Sequence, residues 1–370
     1  MEQIISSGFM KYHELVDYSK LDPVKKAAIQ KFAPSLSNPE RLGLRIVPET
    51  LGESAIAIDF PKEDFMLAFN VEGLGTKNLI ADVMYADERG GKLSYFENIG
   101  KDNVAMSTND LSSIGADPFV YGDIISTHNS DWFENNEKAG ALLEGFKRAA
   151  EEIGLAIPCG ETPSLVGIIQ PKTIDMAGAS VGLIKPKQNL TVGQELKEGD
   201  VIIGLASSGL HSNGISLVRK TAENLSEGYF TKMPSGKIFG EEALIPTTLY
   251  SRFLVDVVSK TKVHYMQPIT GHGWKKIMRN RKPFTYEINF VPKPQEIFKF
   301  LQEKNNLSDF EAYYTWNMGL GYVLMAPRES VETILKIAGK HKISVFEMGV
   351  VKNGVKKVIV KPKNIVYEES

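Results

Sequence analysis

Residues 201–220 read VIIGLASSGLHSNGISLVRK. The first six, Val201–Ala206, form an unbroken apolar run too short for a helix and predict a buried strand. The next eight, SSGLHSNG (207–214), are small and polar and predict a turn. From Ile215 the apolar residues fall at helical spacing, through ISLVRKTAENL. A strand entering a helix through a polar turn is the unit of an α/β protein. It also places N–H groups and hydroxyls where a helix N-terminus favours an anion. Ser207, Ser208, Ser212 and Asn213 can donate there, and His211 can donate or shuttle a proton. A plain polar turn capped by Ser212 or Asn213 explains the same residues equally well.

Strands and helices alternate on both sides of this unit. FMLAF (65–69) reads as a buried strand, and TIDMAGASVGLI (173–184) alternates like one. NNEKAGALLEGFKRAAEEIG (135–154) reads as a helix capped by Asn135 and closed by Gly154, with Leu142, Leu143, Phe146, Ala149, Ala150 and Ile153 on one face. Beyond residue 290 come a helix in PQEIFKFLQEK, a strand in GYVLMA, a helix in ESVETILKIAGKH and a strand in ISVFEMG. The polar stretch KPKQNLTVGQELKEGD (185–200) is the best linker. Two α/β domains are expected, 1–184 and 185–370, as the 370-residue length also suggests.

Bulk properties exclude several classes. With 42% hydrophobic and 24% charged residues the composition is that of a soluble globular protein. A net charge of −2 and no basic tract give no reason to expect a nucleic-acid partner. The single cysteine, Cys159, excludes an internal disulfide and fits a reducing cytosol. No apolar run approaches the ~20 residues that span a bilayer, and the first twenty residues lack the pattern of a signal peptide. A cytoplasmic protein is expected.

Several further clusters carry chemistry. NVEGLGTKN (70–78) sets Gly73, Gly75, Thr76 and Lys77 after a strand. Glycines let a backbone approach a ligand, bare N–H groups receive phosphate oxygens, and Lys77 adds a point charge. An ordinary glycine turn would look the same. Asn109 and Asp110, in STNDLSSIGADP, read either as a helix N-cap or as oxygen ligands for Mg²⁺. Asp123 lies in a strand-like run, where carboxylates are disfavoured, and Glu161 in the turn PCGETPS. Acids emerging from strand ends suit a metal–nucleotide site, because ligands collect at the carboxyl ends of strands in open α/β folds. PITGHGWKKIMR (268–279) offers Thr270, His272 and a short basic run; a lone loop histidine is as readily solvated as catalytic. TWNMGLGY (315–322) puts Asn317 before paired glycines, for close packing or ligand approach.

Taken in order, EGLGTK, NDLSSIGADP, CGETPS, GLASSGLHSNGISLVRK, PTTLY, ITGHG and TWNMGLGYVL resemble the successive motifs of the aminoimidazole ribonucleotide synthetase (phosphoribosylformylglycinamidine cyclo-ligase) family, over about residues 65–350. The wider superfamily, with selenophosphate synthetase, thiamine monophosphate kinase and a hydrogenase maturation protein, shares the ATP half of the pattern. The resemblance implies a two-domain fold of mixed sheets flanked by helices, and a homodimer paired through N-terminal strands. It implies an ATP- and Mg²⁺-dependent ligase of purine biosynthesis. An amide oxygen of formylglycinamidine ribonucleotide attacks the γ-phosphate of ATP, and a nitrogen then displaces phosphate as the imidazole closes. Alternatives are a kinase or maturation enzyme of the superfamily, or a non-catalytic nucleotide-binding relative.

The resemblance implies roles residue by residue. Glu72, Gly73, Gly75, Thr76, Lys77, Asn109, Asp110 and Asp123 would hold the nucleotide, with Glu72, Asp110 and Glu161 on the metal. Ser208, His211, Ser212 and Asn213 would bind the ribonucleotide, with Thr270 and Asn317 as further candidates from their own loops, and Lys77, His211 and His272 are the candidates for catalysis, His272 on its residue type alone. The chain departs from the family pattern at several places. Glu72 stands for an aspartate. Tyr12 is not followed by the family's glycine loop. The stretch VPETLGESAIAIDF, where the family is rich in glycine, keeps only Gly52. Pro268 replaces a histidine and His272 a glycine, while Cys159 and Pro163 replace a glycine and an alanine.

Overall fold

The computed structural model describes residues 18–369; the Tyr12 segment lies outside them. Two mixed sheets organise the chain. The first contains β1 (Arg45–Ile46), β2 (Ile56–Asp59), β3 (Met66–Gly73), β4 (Asp117–Thr127), β5 (Ala156–Glu161) and β6 (Ile174–Ile184), in the order β1-β2-β3-β6-β4-β5. Only its β4–β5 pairing is parallel. The second contains β7 (Val201–Ala206), β8 (Tyr265–Pro268), β9 (Phe284–Ile288), β10 (Leu320–Ala326), β11 (Val345–Asn353), β12 (Lys357–Val360) and β13 (Ile365–Glu368), in the order β13-β12-β9-β11-β7-β10-β8. There only β12–β9 is parallel.

The apolar run that opened the sequence reading becomes β7, paired on both sides by β10 and β11. Val201, Ile203 and Leu205 face Phe253, Leu254, Val257, Ile334 and Ile337. Ile202 faces the larger core with Trp274, Tyr313 and Met348. Burial on both faces is why the strand shows no alternation. That larger core runs without a break into the first unit, through Ile80, Met84 and Phe96. Each large apolar side chain in it contributes about 1.5–3 kcal/mol.

Helices cover one face of the first sheet. Following α1 (Tyr18–Phe32) and α2 (Asn78–Ala86), α3 (Ser94–Ser112) crosses α4 (Asn136–Ile153) at a glycine pair. A Cβ on Gly145 would stand 2.1 Å from the Glu97 carbonyl oxygen, and one on Gly100 would stand 2.4 Å from that of Leu142. Only glycine permits this approach. The expected caps of α4 are present: the Asn135 side chain accepts from Lys138 N–H, and Gly154 is left-handed. The opposite face of this sheet is open and apolar, with Phe69 and Val71 on β3 and Phe119 and Ile124 on β4 exposed.

One expectation fails here. Asn109 and Asp110 do not start a helix; they lie in the last turn of α3. The helix escapes a reading by apolar periodicity because its Asp102, Asn103, Ser107 and Asn109 are buried. They bond across to strands and to the second unit: Ser107 Oγ donates to Asn70 Oδ1 (2.6 Å), and Asn103 Nδ2 to Tyr121 Oη (2.9 Å). Among the described residues no helix is long and apolar enough to cross a membrane.

Candidate active site between the two units

β3 extends to Gly73, so Glu72 and Gly73 are strand residues and only Leu74–Thr76 turn into α2. Gly75 has φ +79°, a conformation that favours glycine. Lys77, expected at phosphate oxygens, is fully buried instead. Its ammonium pairs with Asp102 at 2.7 Å and donates to the Ile245 carbonyl at 2.8 Å. Burial lowers its pKa, opposed by the Asp102 charge. The polar side of α3 lies beneath the turn and draws the lysine inward. The neighbouring Thr76 hydroxyl is buried without a partner.

Asp102 also accepts from Thr247 N–H (2.7 Å) and Thr247 Oγ1 (2.6 Å). The segment 244–250 is gripped along its length: Asn98 Nδ2 donates to Leu244 O, Ser208 Oγ to Pro246 O and Asn109 Nδ2 to Thr248 O. Asn109 Oδ1 in turn accepts from Tyr250 N–H. Asn109 thus fastens the two units together with both ends of its amide.

The turn SSGLHSNG closes against this clasp. Ser212 Oγ stands 3.5 Å from Thr247 Oγ1. His211 is buried against Tyr250, and its Nε2 accepts from Ser208 N–H at 3.3 Å, which places the ring proton on Nδ1. Burial, with the Lys77 charge added, pushes its pKa down to about 3. Such an imidazole is neutral at physiological pH and does not act as a cationic acid. Asn317, expected as a ligand contact, braces the turn: its Nδ2 donates to Gly209 O and Leu210 O, and its Oδ1 accepts from Ser207 Oγ and Gly319 N–H. Gly214 (φ +70°) leads into α5 (Ile215–Glu223), where a Cβ would meet Trp316 Nε1 at 2.4 Å. Asn213 Nδ2 is buried with no partner. Thr76 and Asn213 are therefore orphaned donors, on segments joined by the chain Lys77–Asp102–Thr247–Ser212.

Glu72 lies close enough to Asp110 to feel its charge. Burial, then the Asp110 charge, pushes the Glu72 pKa up to about 7. Across the sheet Glu72 pairs with Gly178, and Gly178 with Asp123, whose pKa burial raises. Asp123 fills the space beside Gly160, where a Cβ would stand 2.6 Å from its carboxylate. Glu161 pairs instead with exposed Ile124, one residue further, on the opposite face. Strand alternation thus separates Glu161 from Glu72 and Asp110. Among the described residues no group of three His, Cys, Asp or Glu is gathered for a metal ion.

Two charged residues escaped the sequence reading. Lys276 and Arg279, visible there only as a short basic run, lie beside the acid pair in the fold. The Lys276 ammonium is held by the Thr270 hydroxyl. Burial brings its pKa down to about 8 against the charges of Asp110 and Glu72. Arg279 donates to Gly52 O (3.0 and 2.8 Å) and Ser54 Oγ (3.1 Å). Nearby, Tyr265 Oη donates to Glu53 (2.9 Å). His272, left-handed at φ +67°, is half-buried, 3.5 Å from Asp22 of α1 and edge-on to Tyr314. Burial lowers its pKa. It faces Asp22 of the N-terminal helix and stands apart from the Lys77–Asp102–Thr247 chain.

A two-domain α/β chain with a buried polar junction between its units is thereby defined, and comparison with known proteins specifies it. The N-terminal domain model of AIR synthase related protein matches residues 52–184, and the C-terminal domain model matches 197–361. The phosphoribosylformylglycinamidine cyclo-ligase of Methanococcus vannielii is 32% identical over 341 residues, 92% of this chain and 91% of the relative. That of Methanosarcina barkeri is 34% identical over 328 residues, 88% and 90% of the two chains. The chain belongs to the phosphoribosylformylglycinamidine cyclo-ligase family, whose members are ATP-dependent ligases. A thiamine-phosphate kinase-type structure titled "AaThiL complexed with AMPPCP and TMP" superposes with a TM-score of 0.61 at 16% identity, over 97% of both chains. The hydrogenase maturation protein HypE in complex with ATP gives 0.56 at 16% identity, over 82% of this chain and 85% of that one. At these identities the likeness is one of fold and does not favour the kinase or maturation alternatives.

Proposed function

We propose that the protein closes the imidazole ring of formylglycinamidine ribonucleotide at the expense of ATP at the junction of its two units, with the units divided between Ile184 and Lys185. The observation that carries the placement is the pair of orphaned donors, Thr76 Oγ1 and Asn213 Nδ2, buried on the two turns that the Lys77–Asp102–Thr247–Ser212 contacts join. A buried donor without a partner costs about 1–3 kcal/mol, and an anionic oxygen would satisfy both. Thr76 and the backbone of Gly73–Gly75 face the nucleotide phosphates. Ser212, Asn213 and the N-terminus of α5 take the ribonucleotide phosphate. Lys77, His211 and Asn317 hold these turns in shape.

Glu72 and Asp110 are two hard oxygen donors side by side, a set that suits a magnesium ion carried in by phosphates. They would hold it, and it would supply positive charge where phosphoryl transfer accumulates negative charge. Aligned donors and excluded water provide most of the remaining acceleration, through positioning. The chemistry follows from these contacts. The amide oxygen attacks the γ-phosphorus and ADP leaves; the ring nitrogen then attacks the activated carbon and phosphate departs.

The exposed apolar face carrying Phe69, Val71, Phe119 and Ile124 is the surface through which two copies pair as a homodimer. A cytoplasmic location accords with this chemistry. The test is purified protein with ATP, Mg²⁺ and formylglycinamidine ribonucleotide. ADP and phosphate should appear in equal amounts only when the ribonucleotide is present. ATP consumption that ignores the ribonucleotide would overturn the reading.

A further inference from the structure

The framework around the turn Ser207–Gly214 is densely bonded. Asn317 makes four bonds with the two ends of its amide, Ser208 Oγ is spent on Pro246 O, and Ser207 N–H donates to Gly319 O at 2.9 Å. Two buried side-chain atoms beside the turn nevertheless have no partner: Asn213 Nδ2 and Gln295 Oε1. Gln295 holds the N-cap position of α6 (Glu296–Lys304), at φ −61° and ψ 153°, yet its side chain makes no bond to that helix. It reaches across to the turn instead, where its Nε2 donates to Ser207 O at 2.6 Å. A carbonyl oxygen only accepts, so this bond fixes which end of the amide is which. Gly319, at φ +91°, lies against the other end, where a Cβ would stand 3.3 Å from Oε1. A side chain that only braces a turn is saturated, as Asn317 is. Gln295 is half-used, and a bare buried acceptor is as unfavourable as a bare donor.

We propose that Gln295 Oε1 accepts a hydrogen bond from a ribose hydroxyl of the substrate, which makes Gln295 a binding residue that selects ribonucleotides over their deoxy forms. The inference rests on the reading that Ser212, Asn213 and the start of α5 hold the ribonucleotide phosphate. With the phosphate on that turn, the ribose is the next group along the ligand. The amide arm has to reach away from the turn, toward the nucleotide phosphates at Thr76. The acceptor beside Ser207 therefore meets the sugar. Its charge agrees: a neutral amide oxygen suits a neutral hydroxyl, whereas the amidine, when protonated, is matched by a carboxylate. Asn213 Nδ2 and Gln295 Oε1 are then a donor and an acceptor for the anionic and hydroxylic parts of one ligand.

The test compares kcat/KM for formylglycinamidine ribonucleotide with that for its 2′-deoxy and 3′-deoxy forms. Wild type should lose at least ~10-fold on one of the deoxy forms, because a buried acceptor is then left bare. Gln295→Lys keeps a donor for Ser207 O and removes the acceptor. It should act at least ~10-fold less well on the ribonucleotide and no longer distinguish the deoxy form. Gln295→Met, uncharged and also without an acceptor, should show the same lost discrimination and serves if the lysine variant does not fold. Gln295→Glu keeps an acceptor and loses the donor; it should melt lower than Gln295→Lys yet still discriminate. A residue that only braces the turn would leave the ribose-to-deoxy ratio unchanged in every variant. If wild type turns over the ribonucleotide but treats both deoxy forms alike, or if Gln295→Lys and Gln295→Met discriminate as wild type does, this inference is overturned and the proposed function stands. If wild type does not turn over the ribonucleotide at all, both fall.

Discussion

Replacing Lys77 by methionine tests the assignment of that residue to the framework. The side chain is fully buried, and its ammonium meets Asp102 at 2.7 Å and the Ile245 carbonyl at 2.8 Å. Methionine fills nearly the same volume, so the cavity contribution is small. What remains is a buried Asp102 carboxylate still receiving two bonds from Thr247 but facing no cation. Removing one partner of a buried ion pair costs about 3–5 kcal/mol. At roughly 2–4 °C per kcal/mol for domains of this size, Lys77→Met should melt about 6–20 °C below wild type. Urea unfolding should show the midpoint falling with the slope unchanged. The double variant Lys77→Met/Asp102→Asn removes the stranded charge and keeps an acceptor for Thr247. It should recover about 2 kcal/mol relative to the additive expectation. A single variant within ~1 kcal/mol of wild type, or a double variant no better than the single, would refute the account. A large loss of kcat at unchanged stability would return Lys77 to the phosphates.

Other substitutions separate the remaining roles. His211 is buried neutral with a pKa near 3, against an ordinary value of 6.5, so the unfolded chain binds more protons between those values. Stability should therefore fall as pH drops from about 6.5 toward 3. His211→Gln should flatten that slope in urea titrations at pH 7 and pH 4.5, and an identical slope would contradict it. Asn213→Ala should raise KM for the ribonucleotide about 10-fold or more with little change in KM for ATP; equal effects on both would refute the division of ligands between the turns. Val71→Lys puts a charge on the open sheet face and should convert a dimer to a monomer by light scattering, whereas an unchanged mass would exclude that face.

The parts of the fold with local signals were readable in advance. The run at 201–206 is apolar because both its faces are buried, and Asn135 and Gly154 mark α4 because a helix end needs an acceptor and a left-handed stop. Helix α3 hid its period because Asp102, Asn103, Ser107 and Asn109 point into polar contacts formed only after folding. The same reason concealed the fate of Lys77. Its nearest partner in sequence terms is 25 residues away, and nothing local distinguishes a lysine aimed at solvent from one aimed at a buried carboxylate. Lys276 and Arg279 lie about two hundred residues from Glu72, so their meeting belongs to tertiary structure alone. Alternation along β4 and β5, by contrast, was available in principle, and it separates Glu161 from the acid pair.

The three bonds that Asn317 makes to the turn Ser207–Gly214 have a kinetic meaning. A loop that must organise around its ligand spends about 0.5–1.5 kcal/mol per immobilised side chain at the moment of binding. Here that ordering is completed when the chain folds, because one amide from β10's approach fixes the turn before any ligand arrives. Association should then be limited by encounter with an already ordered turn, and weakening the amide, as in Asn317→Ser, should slow capture of the ribonucleotide before it alters the chemical step.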